Sequence, residues 1–392
     1  MNLLNQPLVR WTALTLALIT ILGMAWFANT LKPSSMEVFR RINPPPFLAA
    51  ILPGNTPIPT RNPLAIYDYY LPKIQKTDIT RMRPYLATSF WNAPIGETPN
   101  YDPHSAEMIA TIGLDSDGRI YSTPDEYSYT VYFVDQTTPR WDIPCVSYRC
   151  TIVTPEETIR TDMLPDVPLP PGARPAGGSD AAMLVIDKTT LAEYNLRGVQ
   201  RTKDGWKIKN GSIYNILWDG TPAEYGSRGS GIPFYAGLVR PWEIRQGHID
   251  HVINFSYTFP AMERCVFPAT KTDGNSVMTY AIPEGAQLQL DPSLTEQDFD
   301  DLGLDRAGKI IARALQKYGM VLVNAAGRTK IYVENLADNP FATEQWSDPD
   351  LGLTAKTIAN IPYTAFRVIA LPEAYWDPHP DSPTHGNCFA YP

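Results

Sequence analysis

The chain has 392 residues, 44% of them hydrophobic, which is enough for one large domain or two ordinary ones around a sizeable core. Its formal net charge is −8 and it has no run of clustered lysine and arginine, which argues against nucleic acid as a partner. Proline, at 38 residues, is about twice as frequent as average, whereas glycine is ordinary at 25. This composition excludes a collagen-like chain and argues against a coiled coil and a multi-span membrane protein.

The N-terminal residues 1–30 have the layout of an export signal. The uncharged run Thr12–Ala28 follows Arg10, as an apolar segment follows a short basic one in secretory signals. Its length is at the lower limit for spanning a bilayer, so a cleaved signal peptide and an uncleaved signal anchor both fit. We therefore expect an extracellular or cell-surface protein that contacts the membrane only through residues 12–28.

The next part of the chain, residues 31–80, is rich in proline, as in Asn43–Pro46. This composition favours polyproline II and turns, and we interpret it as a stalk with one edge strand at Ala65–Leu71. A β-sandwich domain is predicted for residues 81–375. The proline-containing residues 376–392 are predicted to form a C-terminal tail.

Short runs of β-branched and aromatic residues alternate with turn signals throughout the predicted domain. This pattern predicts a mainly β fold, either a β-sandwich or a jelly roll. The predicted strands are 128–135, 183–187, 212–218, 251–258, 287–290, 320–324 and 330–334. The stretch Leu164–Pro175 contains too many prolines for a central strand, so an extended surface crossing or a linker is expected there.

One short helix is predicted near residues 305–318. Apolar residues such as Ile310 and Leu315 recur at helical spacing, Asp305 suits the N-cap, and Gly319 suits the position after the last turn. The strands MVLVN and KIYVE follow it. Because only AAGRT separates them, they are predicted to pair as a hairpin.

The four cysteines fit an exported protein. Cys145 and Cys150 bracket four residues and are predicted to form a disulfide across a small loop or tight hairpin, with Cys265–Cys388 as a second bridge. Free buried thiols are the alternative, since four cysteines allow three pairings. The spacing matches no paired-cysteine zinc motif.

The segment Tyr225–His251 has the highest density of reactive residue types. The candidate catalytic residues are His248, Asp250, His251, Arg240 and Glu243. On a strand, positions 248 and 250 would share one face and position 251 would point to the other. The structural alternative is that the glycines serve turns, Arg240 pairs with Glu243, and the histidines stand at a strand entrance.

Two reactions fit these residue types. β-Elimination of uronic acids needs an arginine that neutralises the carboxylate and a histidine or tyrosine that removes the α-proton. Glycoside hydrolysis needs two carboxylates, and the candidates are Asp187, Asp219, Glu243 and Asp250. Lys317 and Tyr318 are expected near the same site. Ser230 lacks the strand–elbow–helix context of a hydrolase nucleophile.

No cofactor is predicted, although calcium remains an option at two acidic segments. Asp115–Gly118 begins like a calcium loop but lacks its distal glutamate. Glu296–Asp305 carries five acids, which a helix N-terminus also favours without any metal. The run Trp376–Cys388 contains metal-ligand residue types at no recognised spacing.

Several segments resemble a family of exported bacterial proteins, mostly uncharacterised. They are RGSGIPFYAGLVRPWEIRQGHIDHVINF, FPATKTDG, IPEGAQLQL, IARALQKYGMVLVN, WNAPI, DPHSAEMIA and VYFVDQTTPR, within residues 85–370. The resemblance implies an exported β-sandwich with a cleft around Arg240–His251. This chain departs from the family pattern at Asn324, where aspartate is usual.

The expected function is that of an exported carbohydrate-active protein, a polysaccharide hydrolase or lyase acting through a His/Asp/Arg cleft. The alternative is a non-catalytic cell-surface protein that binds glycan or belongs to a structural assembly. In both cases the expected partner is a polysaccharide or a cell-surface glycan. Tyrosine and tryptophan, at 21 and 9 residues, would supply stacking surfaces for sugar rings.

Overall fold

A computed structural model of the chain describes residues 78–372, except 116, 154–157, 222–225 and 227, and the backbone of 374–376 and 388–390. The predicted signal segment, the stalk up to residue 77 with its edge strand, and most of the predicted tail lie outside these residues. Among the residues described, no helix is long and apolar enough to cross a membrane.

The described chain is mainly β, as the sequence predicts, and most strands belong to two mixed sheets. In spatial order, the strands described for sheet I are Tyr121–Thr123 (β1), Lys330–Tyr332 (β15), Ile253–Tyr257 (β12), Met320–Ala325 (β14), Gln287–Leu290 (β13) and Phe366–Val368 (β16). Those of sheet II are Thr130–Val134 (β2), Met183–Asp187 (β7), Ala192–Arg197 (β8), Asn210–Asn215 (β11), Cys150–Val153 (β4) and Thr158–Thr161 (β5).

Short two-stranded ribbons complete the described β structure. They pair Arg140–Pro144 (β3) with Met163–Pro168 (β6), Gln200–Thr202 (β9) with Gly205–Lys207 (β10), and Ala374–Trp376 (β17) with Cys388–Ala390 (β18). The start of the proline-rich stretch Leu164–Pro175 thus lies in a ribbon, outside both large sheets. This placement suits prolines, which cannot donate a hydrogen bond to a central ladder.

The single predicted helix is confirmed, and the described residues contain three more. The four helices are Ser105–Ile112 (α1), Pro241–Gln246 (α2), Glu296–Asp301 (α3) and Arg306–Lys317 (α4). Asp305 caps α4 by accepting from the N–H of Gly308 at 2.7 Å, and Gly319 after its last turn has a φ of 71°. The other three have six to eight residues, too few for a clear apolar period.

Strand β14 buries side chains on both of its faces. Met320 and Leu322 belong to a core that they share with side chains of α4, whereas Val321 and Val323 belong to a second core. Leu184 of β7 is also in the second core. Since successive side chains of a strand point to opposite faces, the run MVLV requires apolar cover on both sides of sheet I. Helices provide it on one side and sheet II contributes on the other.

The sequence also predicts a specific architecture, a sandwich or jelly roll, and the strand pairing does not confirm it. The pairs β1/β15, β12/β14, β4/β11 and β2/β7 are parallel, whereas jelly rolls are antiparallel. The predicted hairpin between MVLVN and KIYVE is wrong, because β12 lies between β14 and β15. Strand β12 pairs in parallel with β14 along one edge and antiparallel with β15 along the other.

The disulfide Cys145–Cys150 is confirmed. It does not close a hairpin, because Cys145 follows β3 of a ribbon while Cys150 begins β4 of sheet II. The bridge therefore ties the ribbon to the large sheet. Cys265 is buried and is not a free thiol, and its predicted partner Cys388 lies outside the residues whose side chains are described.

Replacing Leu322 by alanine should lower the free energy of unfolding by about 2–5 kcal/mol, because this side chain is fully buried and its removal leaves a cavity. The matched control is Leu114→Ala, at a position that is 62% exposed, where the change should stay within about 0.5 kcal/mol. Urea unfolding followed by tryptophan fluorescence measures both. Equal losses in the two variants would contradict the central position of β14.

Candidate functional site

The first turn of α2 organises three of the predicted site residues. Glu243 accepts a hydrogen bond from the backbone N–H of Arg240 at 2.8 Å through Oε2. Its Oε1 lies 2.9 Å from Nε2 of His251. Glu243 and His251 are both buried. The carboxylate therefore joins the start of the helix to the loop that precedes β12.

His251 is held as a cation. Its Nδ1 lies 2.8 Å from the carbonyl oxygen of Val252, which can only accept a hydrogen bond, and its Nε2 faces the carboxylate of Glu243. Both ring nitrogens therefore carry hydrogen. Burial alone lowers the pKa of His251, but the charge and hydrogen bond of Glu243 outweigh it and the pKa is raised. This arrangement makes His251 a structural anchor for the loop.

Arg240 is paired with an acid that the sequence analysis did not connect to it. It forms a buried ion pair with Glu334 through Nε, and its Nη1 donates to the hydroxyl of Tyr235 at 2.9 Å. Burial raises the pKa of Glu334, and the charge of Arg240 partly opposes this rise. Arg240 and Glu334, with Phe133 and Trp242, line a cleft of about 870 Å³ that we call the Arg240 cleft.

His248 and Asp250 lie at the surface, apart from the buried network. His248 Nδ1 is 2.8 Å from Asp250 Oδ2, and the two side chains are 58% and 41% exposed. Asp250 Oδ1 accepts from the hydroxyl of Tyr318 at 3.3 Å and lies 3.8 Å from Lys317 Nζ, so both residues are nearby as expected. Neither His248 nor Asp250 lines the Arg240 cleft. The two histidines therefore belong to two separate arrangements.

The other predicted carboxylate sets have local partners. Asp187 is fully buried and paired with Arg140 at 2.5 Å. In the acidic segment before α4, Glu296 pairs with Arg313, and Asp300 pairs with Lys309. Within the described residues, no three histidine, cysteine, aspartate or glutamate side chains come together in a way that could hold a metal ion.

A second cleft, of about 640 Å³, opens beside β1 and β15. We call it the tyrosine cleft, and among the residues that line it are Tyr127, Asp180, Asn324, Lys330 and Tyr332. Of these, all but Lys330 also line a small adjoining cavity that reaches Arg228. The small cavity, of about 30 Å³, therefore lies between the tyrosine cleft and the buried Arg228.

Arg228 lies against a stack of three aromatic rings. Tyr129 stacks on Phe234 at 4.2 Å and on Tyr332 at 5.4 Å between ring centres, and the guanidinium carbon is 5.1–5.5 Å from all three centres. Arg228 is only 4% exposed and its Nη2 donates to the carbonyl of Phe234 at 2.8 Å. Its Nε and Nη1 have no hydrogen-bond partner among the described residues.

Lys330 is a second buried cation of the tyrosine cleft. It is 6% exposed, and Nζ donates to the backbone carbonyl of Tyr127 at 3.3 Å. Its Nζ also lies 5.0 Å and 5.4 Å from the ring centres of Tyr127 and Tyr332. No described carboxylate forms an ion pair with it. Burial lowers the pKa of Lys330 to about 8, against the opposing charges of Asp180 and Glu126.

Local backbone geometry determines the direction of the side chains that line the tyrosine cleft. Lys330 and Tyr332 are two residues apart on β15 and so point to one face. The register of β14 against β12 shifts between Phe255 and Ser256, and this irregularity places Asn324 beside Ser256. Such bulges redirect side chains. Asn324 then uses Oδ1 to accept from the N–H of Gly229 at 2.9 Å, next to Arg228.

Three segments that carry the family resemblance meet at this point. Asp273, from the segment FPATKTDG, accepts from the N–H of Ala325 at 2.9 Å. Its Oδ1 would lie 2.3 Å from a Cβ atom added at Gly229, so a larger residue there would displace the Asp273 side chain. Gly229 and Asn324 belong to the other two segments. The backbone of these three segments thus packs together beneath the tyrosine cleft.

Comparison of the chain with protein-family models, with curated proteins and with solved structures gives no match. The resemblance to exported bacterial proteins therefore stays a prediction.

The sequence analysis did not identify Arg228, Lys330 or Tyr332 as site residues. One signal was present in KIYVE, where a lysine occupies the same face as a tyrosine while isoleucine and valine occupy the other. Arg228 carries no such signal, because two of the rings that bury it, Tyr129 and Tyr332, are distant in sequence.

The buried charge of His251 makes stability depend on pH. The pKa of an unfolded-chain histidine is about 6.5, and the folded pKa of His251 lies above it. Between these values the folded state binds more protons, so this stabilisation is complete below about pH 6.5 and is lost as pH rises through the folded pKa, at most about 1.4 kcal/mol per pH unit.

The free-energy difference between wild type and His251→Asn should therefore be largest near pH 6 and shrink toward pH 9. Urea unfolding at a series of pH values measures it. His248→Asn is the matched control, because it removes an exposed histidine and should keep the wild-type pH dependence. A difference that is constant for His251→Asn would show that the ring is not held as a cation.

Proposed function

We propose that this protein binds an acidic carbohydrate, a glycan whose sugars carry carboxylates, in the tyrosine cleft. The observation that carries the proposal is on buried Arg228, whose Nε and Nη1 find no hydrogen-bond partner within the part of the chain that the structure describes. A buried charge with unsatisfied donors costs several kcal/mol, which a ligand can recover if it supplies an opposite charge and acceptor oxygens. A carboxylate supplies both, and its two oxygens match the fork of a guanidinium.

The lining of the cleft favours a sugar ring as the carrier of that carboxylate. Tyr127 is 39% exposed, so its ring can contact a pyranose face, and Lys330 adds a second cation beside it. A nucleic acid fits less well, because the chain has a net charge of −8 and phosphate backbones demand clustered basic residues. The predicted export of the chain would place the cleft where polyuronates occur.

The test compares polygalacturonate with the same polymer after chemical reduction of its carboxylates to alcohols. Isothermal titration calorimetry with the full chain should detect binding of the first and much weaker binding of the second. Because the two polymers have the same sugar linkages and chain length, any difference in affinity comes from the carboxylates. Equal affinity for the two polymers would overturn the proposal.

Arg228→Gln should weaken binding of polygalacturonate by roughly tenfold or more, since a hydrogen bond to a charged group contributes about 1.5–3 kcal/mol. Arg201→Gln is the matched control, because Arg201 is exposed and lies over Trp206, away from the cleft. Circular dichroism confirms that both variants fold. Unchanged affinity in folded Arg228→Gln would contradict the role of Arg228.

A further inference from the structure

We propose that Lys330 is the proton acceptor in a β-elimination that cleaves the acidic glycan bound in the tyrosine cleft. This inference rests on the proposed function, because it requires a uronate carboxylate at Arg228. It assigns to the site a lyase activity in addition to binding.

β-Elimination at a uronate needs two groups. One is a cation that neutralises the carboxylate, so that the proton on the adjacent ring carbon becomes acidic in the transition state. The other is a base within contact distance of that proton and uncharged at the working pH. In this chain Arg228 provides the first group and Lys330 the second.

The upper limit on the distance between the two basic groups leaves room for one sugar residue. The guanidinium carbon of Arg228 and Nζ of Lys330 each lie 5.4 Å from the ring centre of Tyr332, so they are at most about 11 Å apart. A carboxylate hydrogen-bonded to a guanidinium at about 2.8 Å and an amine in contact with the neighbouring C–H fit within that span.

The surroundings of Lys330 make its ammonium group easier to deprotonate. The only hydrogen bond that Nζ makes within the described residues goes to the carbonyl of Tyr127, and burial lowers the pKa of Lys330 to about 8. The charged groups that act on it are Asp180, Glu126 and Arg328. The two acids favour the ammonium form and Arg328 disfavours it. At mildly alkaline pH a large fraction of Lys330 is therefore uncharged.

The reaction balances without any co-reactant other than water. Lys330 removes the proton on the carbon next to the carboxylate, and the electron pair left behind forms a carbon–carbon double bond. The bond between the next ring carbon and the glycosidic oxygen breaks. The departing oxygen takes a proton from water in the open cleft, and Lys330 later releases its proton to solvent.

The decisive experiment incubates the full chain with polygalacturonate, alginate and a glucuronan and measures the ultraviolet absorbance of the unsaturated uronate product. Wild type should form product on at least one polymer, with a rate that rises through about pH 8. Lys330→Arg keeps the cation but cannot deprotonate, so it should still bind polymer while turnover falls at least a hundredfold. Lys203→Arg, at an exposed turn, is the matched control and should keep full activity.

The other possible results distinguish failure of the elimination, of the role of Lys330 and of the binding proposal. Binding of a polymer by wild type without unsaturated product overturns the elimination and leaves the binding proposal intact. Elimination that persists in Lys330→Arg overturns the role of Lys330. Absence of binding to all three polymers overturns the proposed function itself. Circular dichroism of Lys330→Arg separates loss of chemistry from loss of fold.

Discussion

The burial of sheet I on both faces is the constraint from which both clefts follow. A strand such as β14 is covered by helices on one side and packed into a core shared with sheet II on the other, so only its end, at Asn324, has a polar side chain. Asn254 and Ser256, in the middle of β12, are consequently buried completely. Lys330 begins β15 and Glu334 follows its end, so each reaches a cleft. The clefts are thus two of the places where polar residues of this sheet approach solvent.

The buried arginines of the two clefts differ in their partners for charge and hydrogen bonding. Arg240 has Glu334 as a counter-ion and the hydroxyl of Tyr235 as an acceptor, so its charge is satisfied inside the protein. Among the described residues, Arg228 has one carbonyl acceptor for Nη2 and three aromatic rings that stabilise a cation, but no acceptor for the hydrogens on Nε and Nη1. The first arginine is satisfied by the fold itself, while the second has the donors on which the proposed binding of a carboxylate depends.

Much of the fold could be predicted from local pattern, and most of the site could not. The strands at 183–187 and 287–290, the helix after Asp305 and the Cys145–Cys150 bridge depend on residues close in sequence, and all were predicted. The hairpin failed because the pairing of β15 with β12 joins segments more than seventy residues apart. Arg228 was missed for the same reason, since its ring partners come from separate parts of the chain.

The candidate residues that sequence did identify were of the right chemical types but received different partners. An ion pair between Glu243 and Arg240 was the structural alternative, yet Glu243 accepts a hydrogen bond from the backbone of Arg240 and its charge faces His251. Composition indicates that such groups exist in one segment. It does not indicate which of them burial will force together.

Side chains at positions 330–334 point alternately to two faces, which restricts the insertions and deletions that this segment tolerates. Ile331 and Val333 face the helix-covered core, while Lys330, Tyr332 and Glu334 share the opposite face and serve both clefts. An insertion or deletion of one residue between Lys330 and Glu334 would turn one of the two charges into the apolar core. Gain or loss of two residues would keep the faces and alter only the distance between the clefts. Length variation here should therefore occur in even steps.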